Sequence, residues 1–207
     1  MFTGIVAAVG KITAVQAQGA GADDGVRLTV DAGGLPMQDV ALGDSIAING
    51  ACMTVVEKSG QGFMVDVSRE SLNHTVGLDM EGEVNLEKAL TLADRLGGHL
   101  VSGHVDGLGT VRKFEPVGES WQLVVACARD LAKYLAYKGS IVVNGVSLTV
   151  NRVDDLEEDC LFSINLIPHT VEVTALKHLK AGAKVNLEID LIARYVERML
   201  SLSDTAK

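Results

Sequence analysis

Cys52 and Ser147 are the residues whose chemistry stands out, because they hold the same place in two copies of one motif. Asn49-Gly50-Ala51-Cys52-Met53-Thr54-Val55 returns as Asn144-Gly145-Val146-Ser147-Leu148-Thr149-Val150, with a thiol exchanged for an alcohol. Either group becomes a nucleophile or a proton carrier when a base lies within reach. On a strand, Thr54 and Thr149 face the same side as Cys52 and Ser147 and add a second hydroxyl. The alternative is that both are small side chains filling a tight turn-to-strand corner. The motif alone leaves the two readings open.

His104 is the candidate base, and His99 lies five residues before it. Imidazole titrates near neutrality, which suits general acid–base work. His104 stands where the first copy has Ile5, so its role is not shared by both halves. A hydrogen-bonded histidine at a domain edge is the competing reading. The pair also suggests metal binding, but the further ligands such a site needs are missing from the sequence around them, and no metal is expected. Asp66-Val67-Ser68-Arg69-Glu70-Ser71 aligns with Asn165-Leu166-Ile167-Pro168-His169-Thr170. Both follow a strand and are rich in donors and acceptors, which suits a heterocyclic or polyhydroxylated ligand, or else a solvated hairpin. Gly107-Leu108-Gly109 lacks the strand–helix setting of a dinucleotide fingerprint, and there is no phosphate-binding loop. Ser147 has no Gly-x-Ser-x-Gly elbow, which counts against a hydrolase.

These residues must be positioned by two copies of one domain. Val101 to Val111 repeats Phe2 to Ile12, and Val84-Asn85-Leu86-Glu87 returns as Val185-Asn186-Leu187-Glu188. Three matches in one order at nearly one spacing indicate duplicated domains. Each copy reads as short β-type runs between glycine turns, so a small closed antiparallel barrel is expected. Ser45 to Val56 should be strand, turn and strand, with Asn49-Gly50 as the turn. One helix per copy is expected, around residues 33–39 and 130–137, and the linker 88–97 has helix-favouring composition. The tail repeats apolar residues at Ile192, Tyr195, Val196, Met199 and Leu200, an amphipathic helix available for its own chain or for self-association.

Composition narrows the classes. Hydrophobic residues make up 47% and charged residues 22%, which favours a compact fold. A net charge of −9 argues against nucleic acid, and no apolar run can span a bilayer. The N-terminus lacks the pattern of a signal peptide, so a cytoplasmic address is expected. Cys127 and Cys160 read as buried apolar residues rather than half of a disulfide framework.

Taken together, the start Met1-Phe2-Thr3-Gly4-Ile5-Val6, the two signatures, Gly97 to His104, Tyr137-Lys138-Gly139 and Leu166 to Thr170 resemble the riboflavin synthase family. The resemblance covers nearly the whole chain. It implies a mainly β chain of two tandem homologous six-stranded Greek-key barrels, 1–97 and 98–190, and a C-terminal oligomerisation helix, 191–207. It implies a transferase that dismutates two molecules of 6,7-dimethyl-8-ribityllumazine to riboflavin and 5-amino-6-ribitylaminopyrimidinedione without metal or cofactor. It implies a homotrimer whose reacting pair meets between barrels of neighbouring subunits, with lumazine synthase as a further candidate partner. Carried over residue by residue, Ser147 and His104 would handle protons and activate the nucleophile, with Cys52 assisting in the sister pocket. Phe2, Gly4, Ile5, Val6, Met53, Thr54 and residues 66–71 would contact substrate. So would Gly103, Val105, Lys138, Leu148, Thr149 and residues 165–170. Lumazine proteins, light-emitting antennae that share the duplication without turnover, are the rival; the presence of Cys52, Ser147, His104 and Lys138 favours the enzyme.

Overall fold

The computed structural model describes residues 1–21 and 23–204, with side chains through 202. Ala22, in the expected hairpin loop at 19–25, and residues 205–207 of the expected tail helix lie outside the described residues. The first half supplies β1 (Ala8–Ala17), β2 (Val26–Asp31), β3 (Ser45–Ile48), β4 (Ala51–Ser59), β5 (Gly62–Val67) and β6 (Gly82–Lys88). The second supplies β7 (Gly107–Val117), β8 (Ser120–Ala128), β9 (Ser140–Val143), β10 (Val146–Asp155), β11 (Asp159–Leu166) and β12 (Lys184–Ile189). Each set closes into a six-stranded antiparallel barrel, the first in the order β1-β2-β5-β4-β3-β6. The second has the same order strand for strand, with β11 between β8 and β10 as β5 lies between β2 and β4.

Alternation along the strands explains the closure. Val26, Leu28 and Val30 of β2, like Cys160, Phe162, Ile164 and Leu166 of β11, turn into separate barrel cores while their neighbours face out. Bulges bend the strands at matching places, between Ile12 and Ala14 and between Val111 and Lys113. A second pair interrupts β4 after Val55 and β10 after Val150.

The barrels join through their repeated asparagines. Asn49 and Gly50 have φ of 47° and 85°, Asn144 and Gly145 of 47° and 82°, as the expected tight hairpin turns require. The turns abut so closely that a Cβ on Gly50 would lie 2.8 Å from the Gly145 nitrogen. Asn85 Nδ2 donates to Asn144 O at 2.8 Å, and Asn186 Nδ2 donates to Asn49 O at 3.0 Å. Asn85 and Asn186 are each only 2% exposed, so these buried amides are satisfied by the opposite barrel and fix its register.

The helix expectations need correction. Residues 33–39 form turns, because Gly33 sits at φ +66° and Pro36 has no N–H to extend a helix. In the second half a 3-10 helix over Arg129–Tyr134 replaces the α-helix expected at 130–137. The linker is not helical; Asp94 instead accepts from the Thr91 N–H and hydroxyl, which hold its carboxyl below the usual range. Two short helices were not anticipated, α1 (Arg69–His74) and α2 (Pro168–Glu172). Ser68 caps α1 by accepting from Ser71 N at 3.1 Å, and Pro168 starts α2. The tail helix is α3 (Leu191–Asp204). It turns charge toward its own barrel, with Arg194 on Asp106 at 2.6 Å and Glu197 on Lys133 at 2.7 Å. Ile192, Tyr195 and Leu200 are more than 60% exposed on its other side. Among the described residues no helix is long and apolar enough to cross a membrane.

Candidate active site

Cys52 and Ser147 are half-buried, because β4 and β10 turn Ala51, Met53 and Val55, and Val146, Leu148 and Val150, into the cores and leave the alternate residues facing out. Thr54 and Thr149 lie on the same outward faces and are exposed. Each face is then completed by a segment of the other half. Cys52 N donates to Gly103 O at 2.8 Å, and Ser147 N donates to Gly4 O at 2.7 Å. Gly103 to Val105 therefore lie on the first barrel, and Gly4 and Val6 on the second.

This exchange decides which groups meet. His104 does not join Ser147 within the chain. With Gly103 and Val105 it lines a cavity of about 250 Å³ beside Cys52 on the first barrel. Ala51, Met53, Glu70, Ser71, His74 and Thr75 complete the lining, and His74 lies 3.0 Å from Glu70. Gly4 goes the other way, against Ser147, and Val6 packs on the second core. Ile5, Ile167 and Val173 are 49%, 60% and 45% exposed. His169, Thr170, Val173 and Thr174 take the places of Glu70, Ser71, His74 and Thr75 around α2. The Cys52 face thus gathers a thiol with His104, His74 and Glu70.

Ser147 has a base of its own. Its Oγ lies 2.7 Å from His99 Nδ1, an association the sequence reading missed because it weighed His99 only as a metal ligand. Gly98 must be glycine for this approach, since a Cβ there would fall 2.9 Å from Ser147 Oγ. Burial depresses the His99 pKa, and the negative charge of Asp190 acts in the opposite direction. A neutral ring can accept the Ser147 proton, which a protonated one cannot. His99 Nε2 is buried without a hydrogen-bond partner in the structure.

A pH dependence follows. A depressed histidine contributes stability that is fully present above its unfolded pKa, about 6.5, and is lost as pH falls through the folded value. Between pH 7 and pH 5 the parent chain is therefore expected to lose more unfolding free energy than His99→Gln. Urea melts of both at each pH measure the difference.

The remaining expected contacts divide sharply. Phe2 is 0% exposed and packs with Val101, Ala47 and Val142 between the barrels, so it offers no surface to a ligand ring. Val67 and Leu166 are each 1% exposed and belong to the cores. Asp66 is taken by Arg27 in a two-point contact at 2.7 and 2.9 Å, and Arg69 donates to Asp24 O. Asn165 accepts from Ser120 Oγ. Lys138 reaches Asn151 Oδ1 at 3.0 Å, just beyond Thr149 on β10. It holds φ +65° where the first half has Gly43 at +91°. A cavity of about 680 Å³ runs along β3, β6 and the linker and opens beside Ile5 and Gly97.

Comparison with known proteins agrees with this architecture. The lumazine binding domain matches twice, over residues 3–89 and 102–190. The riboflavin synthase of Photobacterium phosphoreum is 42% identical over 202 residues, spanning 97% of this chain and 89% of that protein. That of Mycobacterium tuberculosis strain H37Rv is 43% identical over 204 residues, spanning 97% and 98%. A crystal structure of LumP complexed with 6,7-dimethyl-8-(1'-D-ribityl) lumazine superimposes with a TM-score of 0.75 at 26% identity, covering 91% of this chain and 99% of that one. LumP shares the shape, but the higher identity lies with the synthases. A doubled lumazine-binding pattern on paired barrels, with identities of 42% and 43% over nearly the whole length, places the chain in the riboflavin synthase family.

Proposed function

We propose that the chain is a transferase that converts two molecules of 6,7-dimethyl-8-ribityllumazine into riboflavin and 5-amino-6-ribitylaminopyrimidinedione. The observation that carries this reading is the pair of equivalent faces with unlike chemistry. A reaction between two copies of one molecule needs two like sites, because donor and acceptor have the same shape. It also needs them unlike in reactivity, because one copy must lose a proton from its 7-methyl group while the other is attacked at its ring. The Ser147–His99 pair is suited to proton transfer, and the Cys52 and His104 face to activating a nucleophile or water. Holding both rings face to face converts a bimolecular encounter into a local one, which can supply several kcal/mol.

Incubating the purified chain with the lumazine in buffer containing a chelator tests the reading. Riboflavin is expected at one molecule for two lumazines consumed, measured by absorbance and chromatography. Lumazine bound and recovered unchanged would instead identify an antenna, and no binding would leave a scaffold.

We further infer a homotrimer, with the Cys52 face of one subunit opposite the Ser147 face of the next. The exposed stripe of α3 supports association. Within one chain the abutting turns hold the two faces on different barrels, so a partner copy supplies the opposing site. Co-expressed His104→Gln and Ser147→Ala chains should then recover activity that neither has alone. No recovery in mixed assemblies would place the reacting pair within one chain.

Lys138 gives a further expectation. Its left-handed backbone costs about 1 kcal/mol for a side chain. In Lys138→Gly, relief of that strain opposes the greater freedom of glycine in the unfolded chain, so stability should change by less than about 1 kcal/mol. Activity should still fall, because an ammonium beside Thr149 is lost. Denaturant melts and flavin formation on the same sample separate the two.

A further inference from the structure

We propose that Glu188 and Glu87 are positioning residues, each setting the strap that completes the ligand face of the opposite barrel. Glu188 belongs to β12 of the second barrel, yet it accepts from Ser102 N at 2.6 Å, Ser102 Oγ at 2.7 Å, Gly103 N at 2.9 Å and His104 N at 3.1 Å. The strap it gathers lies on Cys52 of the first barrel. Glu87 belongs to β6 of the first barrel and accepts from Thr3 N at 2.7 Å, Thr3 Oγ1 at 2.6 Å and Gly4 N at 2.9 Å. That strap lies on Ser147 of the second.

The carboxylates are 3% and 8% exposed, and burial pushes both pKa values up while the N–H and hydroxyl donors pull them down. A buried anion with three or four converging donors is a strong local anchor. Neither strap belongs to a barrel strand. Besides the carboxylates, the straps are held by the short bridge between Phe2 and Val101 and by the Cys52 N–Gly103 O and Ser147 N–Gly4 O bonds. The two clamps also differ in one useful way. Glu188 bonds the backbone of His104 itself, whereas the equivalent Ile5 N donates to Thr3 Oγ1 at 3.1 Å. A glutamine at either position would turn an amide donor toward backbone N–H groups, leaving buried donors unpaired.

Cys52 reports the strap without any assay of turnover. Gly103 covers it, since a Cβ on Gly103 would lie 2.7 Å from Cys52 Cβ. Burial pushes the Cys127 and Cys160 thiols up to about 12 and about 11, so they react slowly and serve as internal controls. Iodoacetamide labelling of Cys52, read by mass spectrometry, is expected to be about tenfold faster in Glu188→Gln and measurably faster in Ser102→Ala. Glu87→Gln and Thr3→Ala should label like the parent chain, with melting temperatures taken for all four. An unchanged rate in the Glu188 and Ser102 variants, or equal acceleration by the Glu87 and Thr3 variants, overturns the proposal. If either glutamate variant fails to fold, the Ser102 and Thr3 variants decide by the same criterion.

The kinetic arm rests on the proposed function. Loss of flavin formation in Glu188→Gln should be non-additive with His104→Gln and additive with Ser147→Ala; the reverse pattern also overturns the assignment. A parent chain that makes no flavin would end the functional reading, while the labelling result would still decide the clamp.

Discussion

Ser147→Ala is expected to lower flavin formation by about 10²–10⁴-fold, the usual range for removing a positioned proton-transfer group. The loss should fall on kcat with little change in KM, because one hydroxyl is removed and no neighbouring side chain is displaced. The backbone of residue 147 still donates to Gly4 O at 2.7 Å, so the strap stays in place. What disappears is the 2.7 Å contact with His99 Nδ1. That leaves both nitrogens of a half-buried ring without a protein partner and should reduce stability by about 1–2 kcal/mol. The small thermal cost and the large kinetic cost are separable in one experiment with a melt and a turnover assay. Equal turnover with alanine would mean that the alcohol only fills space, the alternative its motif leaves open. His99→Gln should resemble Ser147→Ala in rate if the two act as a unit, with the double variant no worse than either alone.

The architecture was legible because duplication writes itself three times into the chain. The Asn-Gly turns, the alternating strands and the valine-asparagine-leucine-glutamate repeats all agree, and the barrels follow from them. The membership of each site was not legible in the same way. Sequence alignment pairs His104 with Ile5 correctly, and therefore suggests that each residue serves its own half. The straps are exchanged instead, which is a long-range property of how the Asn-Gly turns dock and leaves no local signal. His99 was visible as a residue but not as a partner, since its neighbour is 48 positions away. Glu87 and Glu188 were visible only as ends of a repeat. Their place at the end of each repeat could have been read as a carboxylate awaiting backbone donors, had the straps been placed. The short helices escaped notice because five or six residues are too few to show a helical period; the serine cap and Pro168 were the only local signs.

Gly103→Ala is expected to cost about 3 kcal/mol, and Gly4→Ala should cost a similar amount. Two terms add. Gly103 and Gly4 have φ of +79° and +74°, a region that costs a side chain about 1–2 kcal/mol. The new Cβ would also lie 2.7 Å from Cys52 Cβ in the first case and 2.6 Å from Ser147 Cβ in the second. Neither neighbour can retreat easily, because each is pinned through its own N–H to the same glycine's carbonyl. Gly182 provides the control: its φ is +88°, and nothing lies within 4 Å of an added Cβ. Gly182→Ala should therefore show the backbone term alone, and denaturant melts of the three variants give the contact term by difference. The variants should also part in function. Gly103→Ala displaces the strap that carries His104 and should weaken ligand binding at the Cys52 face, whereas Gly4→Ala should weaken it at the Ser147 face. Calorimetric titration with riboflavin would resolve the two classes of site. Loss of the same class in both variants would show that the straps are not specific to their faces, and the exchange between halves would then matter for stability alone.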